Sequence, residues 1–181
     1  VRAHHHPLPL SSLIRLHPSQ AVRAASDAVF EKHGVTKQVS KKRLKQDLAY
    51  IDALQERLYA EDRRALLLVF QAMDAAGKDS TIRAVLRGLN PAGCQVFSFK
   101  QPSSLELDHD FLWRSAKRLP ERGRIGVFNR SYYEEVLVVR VHPEYLGAQR
   151  LPPEPSGPSL WDARYESIRS HELHIARSGT R

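Results

Sequence analysis

Apolar residues recur along this chain in two rhythms. Leu44, Leu48, Ile51, Leu54 and Leu58 follow one another at steps of three and four, with Lys and Glu on the remaining faces. That spacing predicts an amphipathic helix from an N-cap at Ser40 to about Ala60. The rhythm then breaks. Ala65-Leu66-Leu67-Leu68-Val69-Phe70 is an unbroken apolar run between Arg64 and a turn, the signature of a strand buried on both faces of a parallel sheet. The turn runs Gln71 to Lys78 and opens into a helix over Thr81–Leu89, closed by Asn90-Pro91 and Gly93. Gln95–Phe99 alternates as a second strand. Another helix starts at Pro102 with Ser103 or Ser104 and runs through Leu105 to about Leu119, where Pro120 and Gly123 end it. Ile125–Phe128 is a third strand.

Ser131–Val141 carries mixed signals. Val136-Leu137-Val138-Val139 has strand propensity, while Glu134 and Glu135 suit a helix start. The expectation is helix, because no turn separates this segment from the strand before it. Gly147–Pro158 holds four prolines and two glycines and reads as a loop. Leu160–Ser178 is a long amphipathic helix with Trp161, Tyr165, Ile168 and Ile175 on its buried face and Gly179 as its cap. Val1 to about Gln38 mixes Pro, His, Ser and charge, with one short helical pattern at Gln20–Glu31. The expected organisation is an N-terminal extension over residues 1–39 and a folded domain over residues 40–181. Strands alternating with helices place that domain in the α/β class, a parallel sheet covered on both sides. Three strands are few for such a sheet and leave an edge to be covered.

Composition narrows the partners. The 28 Lys and Arg against 20 Asp and Glu give a net charge of +8, which attracts polyanions: nucleic acid, anionic membrane or phosphate polymers. No apolar run approaches the roughly 18 residues a membrane span needs. Val1–Leu10 has Arg2 but no apolar core or small-residue cleavage site, so no signal peptide is read there. Cys94 stands alone, so no internal disulfide forms; this suits a cytoplasmic location.

The chemistry concentrates at the end of the first strand, in Ala72-Met73-Asp74-Ala75-Ala76-Gly77-Lys78-Asp79-Ser80-Thr81. A buried strand enters a small-residue loop, then Gly-Lys, then a helix. Small residues let backbone N–H groups converge on phosphate oxygens, and the helix N-terminus adds about half a positive charge. Ala75, Ala76, Gly77, Asp79 and Ser80 are therefore candidate phosphate or nucleotide contacts. Lys78 brings a full charge on a long stem to the transferring group. Asp74 can hold Mg²⁺ directly or through water. The general pattern of this loop has Gly where Ala72 stands and Ser or Thr where Asp79 stands.

Two further segments bear candidate anion contacts. Asn129-Arg130-Ser131-Tyr132-Tyr133 follows the third strand, and strand C-terminal ends line the ligand crevice of parallel sheets. Arg130 there can grip phosphate at two points and stabilise transition-state charge; Arg140 reaches the same site if its segment is helical. Lys100 ends the second strand and Arg114 sits on the following helix, where Phe111, Leu112 and Trp113 read as core. His171 and His174 are three apart on the last helix and read as a solvated face.

Together these segments resemble the polyphosphate kinase 2 family. Ala72-Met73-Asp74-Ala75-Ala76-Gly77-Lys78 is similar to its Gly-x-Asp-x-x-Gly-Lys loop, and Asn129-Arg130-Ser131-Tyr132-Tyr133 to its Asp/Asn-Arg-Ser-x-Tyr motif. Phe128-Asn129-Arg130-Ser131, with Glu134-Glu135-Val136-Leu137 and Val141-His142-Pro143, looks like the class III subgroup. Phe97–Ser103 and His109–Arg114 also look like the family as a whole, and the likeness runs from about Lys37 to the end of the chain. The resemblance implies a P-loop kinase fold, three-layered α/β/α, and phosphate transfer between inorganic polyphosphate and the nucleotides AMP, ADP and ATP, with Mg²⁺ or Mn²⁺. It implies Asp74 and Lys78 as essential loop residues, Asn129 and Arg130 as a second catalytic motif, and Asp79 as a seat for nucleotide or metal. It allows a homo-oligomer and implies neither membrane nor nucleic acid as partner. Family members continue beyond this point into another strand, an arginine-bearing lid helix and further sheet. The expectation is thus a C-terminally truncated chain lacking lid and last strands. The alternatives are an ATP-dependent P-loop nucleoside or nucleotide kinase and an inactive polyanion-binding fragment.

Overall fold

The alternation of side chains along β1 (Leu66–Phe70) sorts the molecule into layers. Leu66, Leu68 and Phe70 point to one side of the sheet, where they meet Ile82, Leu89, Ile125, Val127, Ile51 and Leu58. Leu67 and Val69 point to the other, against Phe99, Phe128, Tyr132, Val136 and Ile168. This is the two-residue period of a strand buried on both faces. The computed structural model describes residues 37–73, 75–153 and 158–181. Asp74 and the helix expected at Gln20–Glu31 lie outside them. The chain divides into the units Val1–Lys37 and Gln38–Arg181, and the second holds the sheet.

In chain order come α1 (Lys37–Glu61), β1, α2 (Lys78–Val85), β2 (Cys94–Ser98), α3 (Ser104–Leu107), α4 (Trp113–Ala116), β3 (Ile125–Asn129), α5 (Glu134–Val141) and α6 (Pro158–Arg177). A 3₁₀ turn at Pro91–Gly93 precedes β2, and another at Pro143–Gln149 interrupts the expected loop. The sheet order is β1-β3-β2, all parallel. Parallel pairing obliges each connection to cross over the sheet. Beyond β1, Thr180 bridges Ala65 in parallel, and the Leu67 N–H donates to the Arg181 carbonyl at 2.6 Å. The β1 edge that three strands alone would leave bare is covered there.

β3 is the centre. Val127 and Phe128 have no exposed surface, and Phe128 meets Phe99 edge-to-face at 4.9 Å. Truncating such a ring costs about 3–5 kcal/mol. Gly126 lies where a β-carbon would stand 2.9 Å from the Pro120 ring. Pro120 thus closes over the sheet because the strand leaves room there.

Several boundaries differ from the sequence reading. α1 begins at Lys37, so Ser40 lies inside it rather than at its cap. Its apolar stripe is at most half-buried: Leu48, Ile51 and Leu58 are half-buried and Leu44 and Leu54 exposed, while Gln55 is 3% exposed. Gln55 clamps Asn90, accepting from its N–H and donating to its carbonyl, both at 2.9 Å. The single helix expected to Leu119 is two separate turns. Ser103 and Glu106 form a reciprocal cap on α3, and Asp110 accepts from the Leu112 N–H before α4 starts. Along α6 the buried stripe is Leu160, Arg164, Ile168 and Ile175; Tyr165 is exposed and accepts from Arg140. Arg164 ion-pairs with Glu135 of α5 at 3.0 Å, deep under Trp161 and Phe111. α5 is helical, as its acidic start suggests. Among the described residues no helix is long and apolar enough to cross a membrane.

Candidate functional site

The register of β1 on β3 builds the site. Phe70, the last residue of β1, pairs with Asn129, the last of β3. The small-residue loop and the Asn129-Arg130 motif therefore leave adjacent strands at the same height, on the C-terminal edge of the sheet. The Arg130 N–H donates to the Phe70 carbonyl at 2.9 Å and fixes that exit.

The loop is tightly wound. Ala75 has φ 63°, and the Ala76 N–H closes a turn on the Met73 carbonyl at 3.2 Å. Gly77 has φ 84° and occupies the N-cap of α2 with no side-chain cap. Glycine is required by that angle, since an L side chain is strained there. The first N–H groups of an α-helix have no partner within it and present positive charge. The Ser80 and Thr81 hydroxyls both donate to the Gly77 carbonyl, at 2.8 and 3.0 Å, and brace the corner from behind. The Lys78 ammonium folds across the loop and donates to the carbonyls of Ala72 and Met73 at 2.7 and 2.9 Å. These two bonds hold its charge against the start of the loop, on an exposed part of it.

Asp79, in the first turn of α2, accepts from the Asn129 amide at 2.6 Å. This contact joins the two motifs across the crevice. Arg130 has φ 65°, a left-handed conformation uncommon for a long side chain. Its guanidinium pairs with Glu134 at 3.6 Å. Glu134 also accepts from the Gln71 amide, and Gln71 accepts from the buried Ser131 hydroxyl at 3.3 Å. Gln71, the residue after β1, thus ties the start of the loop to the turn carrying Arg130. Neither Gln71 nor Glu134 stands out as a site residue in the sequence, because the bond that joins them spans 63 residues and depends on the pairing of β1 with β3.

Of the other sequence-derived candidates, Lys100 leaves β2 on the same edge and is exposed. Arg114 is largely buried; its guanidinium donates to the Lys100 carbonyl at 2.8 Å, lies 3.8 Å from Glu106 and stacks over Phe99. Arg140 turns toward Tyr165 on α6. His171, read as solvated, instead packs edge-on against Tyr132 with a buried Nε2. Burial holds its imidazole below the ordinary range, with His174 adding to the effect and Glu172 and Asp110 opposing it. No group of three or more His, Cys, Asp or Glu suited to a metal ion occurs among the described residues.

A protein-family model for polyphosphate kinase 2 matches residues 34–180. The chain is 61% identical over 139 residues to an ADP-polyphosphate phosphotransferase of Rhodopseudomonas palustris, covering 76% of this chain and 48% of that protein. It is 46% identical over 130 residues to an AMP/ADP-polyphosphate phosphotransferase of Meiothermus ruber, covering 72% and 45%. Its fold is similar to the crystal structure of polyphosphate kinase 2 from Arthrobacter aurescens TC1, with a TM-score of 0.72 and 37% identity over 80% of this chain and 49% of that one. The chain spans about half the length of the curated relatives it matches.

Proposed function

This chain belongs to the polyphosphate kinase 2 family, and from that premise we propose that it carries the phosphate-gripping corner of an enzyme moving phosphate between inorganic polyphosphate and AMP or ADP. The observation that carries the reading is the Asn129–Asp79 hydrogen bond of 2.6 Å, which joins the second motif to the phosphate loop. The names of the relatives from R. palustris and M. ruber support the substrates. The net charge of +8 supports a polyanionic one.

The transfer is an in-line displacement: an acceptor phosphate oxygen attacks the terminal phosphorus, and the bond to the bridging oxygen of the donor breaks. Little covalent work falls to the protein, so positioning and charge supply the rate. The loop from Ala75 to Gly77 and the first turn of α2, with Asp79 and Ser80, seat phosphate oxygens. Lys78 exchanges its two carbonyl partners for the phosphoryl group in transit. Arg130, held on the facing strand end, neutralises charge that builds on that group. Lys100 extends the basic edge toward the donor chain; Arg114 serves it by fixing the Lys100 backbone. A divalent ion, Mg²⁺ or Mn²⁺, suits the donor set, for such ions take one or two carboxylates together with substrate phosphates and waters. Asp74 and Asp79 are the carboxylates that would hold it, and it would offset phosphate repulsion. The expected location is the cytoplasm.

Lys78→Ala in the full-length protein is the test. Transfer from polyphosphate to ADP, measured as ATP formed, is expected to fall by about two to three orders of magnitude, as for removal of a group that stabilises charge developing in the transition state. Near-normal transfer in that variant removes Lys78 from the mechanism. Transfer from ATP but not from polyphosphate replaces the donor.

A further inference from the structure

Arg130 sits in a left-handed backbone conformation that is strained for a non-glycine residue, and such strain persists only where the surroundings enforce it. Phe70 fixes the residue from below and Glu134 pairs with its guanidinium. A third restraint comes from a different layer. The turn after Arg130 places Tyr132 and Tyr133 side by side, ring centroids 5.1 Å apart. Both phenols donate to the same oxygen, Oε1 of Glu172 on α6, at 2.8 and 2.6 Å. Bonds to an ionised acceptor are short and about twice as strong as neutral ones. Tyr132 is 3% exposed. Burial, with the Glu172 charge beside it, pushes its phenol far above the ordinary range, so it remains a donor.

We infer that Glu172 is a positioning residue: by gripping the two tyrosines that follow Arg130, it fixes the turn that carries Arg130 at the strand end beside the loop, and so the direction of its guanidinium. The inference rests on the proposed reading of that loop. Docking of α6 does not need this grip, since Leu160, Ile168, Ile175 and the Arg164–Glu135 pair already bury that helix against the sheet and α5. What the two phenol bonds add is a fixed angle for the turn. Glu172 spends its carboxylate on the phenols rather than on the phosphate loop, so it acts through Arg130.

A double-mutant cycle on the full-length protein tests this, with polyphosphate as donor and ADP as acceptor. Glu172→Leu is expected to lower kcat about tenfold with nucleotide KM within about twofold, the pattern of a lost transition-state contact. Glu172→Gln, whose amide oxygen still accepts both phenols, is expected to restore kcat to within about threefold of the parent. In an Arg130→Ala background, Glu172→Leu is expected to add nothing, because its effect passes through a guanidinium already removed. Full additivity in that background, parental kcat in Glu172→Leu, or equal losses in the Gln and Leu variants would each overturn the inference. If Glu172→Leu does not fold, the pair Tyr132→Phe and Tyr133→Phe, which keeps both rings, takes its place in the cycle with the same expected signs. Unchanged transfer in Arg130→Ala alone would instead sink the reading of the site.

Discussion

Asp79 stands where a phosphate loop ordinarily has a hydroxyl, and its charge would repel an anion that it faced bare. The structure turns that charge to use: one oxygen is committed to the Asn129 amide, and the residue complements the positive end of α2. Asp79 and Asn129 are each legible as candidates, but their bond is not, because it depends on a strand register no local pattern encodes. His171 shows the opposite failure. Three-residue spacing to His174 reads as a solvated face, yet the ring turns inward to Tyr132. Its titration gives a prediction. Burial lowers the folded imidazole below its ordinary 6.5, so below that pH the unfolded chain binds the extra proton and the folded chain does not. Stability is present in full above about 6.5 and is lost as pH falls toward the folded value. Thermal melts from about pH 7 to about 5.5 are expected to show a falling Tm in the parent and a flatter dependence in His171→Phe. Identical slopes would mean that His171 titrates as if in water.

Among the elements, the strands are the most readable. β1 is an unbroken apolar run and β2 an alternating one, and the two-residue period survives in the two faces of the sheet. In α5 the acidic start outweighs the β-branched middle. The segment from Ser103 to Leu119 reads as one helix yet is two, because the Ser103–Glu106 capping box starts α3 and Asp110, accepting from the Leu112 N–H, makes a second start just before α4. The α6 stripe is displaced from the apolar pattern because Arg164, polar by type, is buried on an ion pair that sequence alone does not reveal. Gly126 belongs to this scale too. A methyl group there meets the Pro120 ring at 2.9 Å, whereas one at Gly147 meets nothing within 4 Å. Gly126→Ala is expected to destabilise by about 1–3 kcal/mol and Gly147→Ala to be near neutral. Chemical denaturation of both decides it, and equal midpoints would mean that Pro120 gives way freely.

For the molecule as a whole, one buried charge pair and one strand order set the terms. Arg164 and Glu135 are 3% and 5% exposed, and Gln149 donates to the carboxylate at 2.7 Å, so the pair pins the 3₁₀ turn as well as α5 and α6. Burial pushes the guanidinium downward against the pull of Glu135. Arg164→Met is expected to cost about 3–5 kcal/mol by stranding Glu135, and adding Glu135→Leu to recover most of it. Denaturant titration of both checks this; a neutral single variant would show that water reaches the carboxylate. The order β1-β3-β2 has a consequence in time. The first two strands made have no hydrogen-bonding interest in each other, and both wait for the third to slot between them. Before it does, Lys78 and Arg130 belong to unrelated stretches of chain. An anion held between those two strand ends would need the assembled sheet, and its binding would in turn stabilise the register that brings them together.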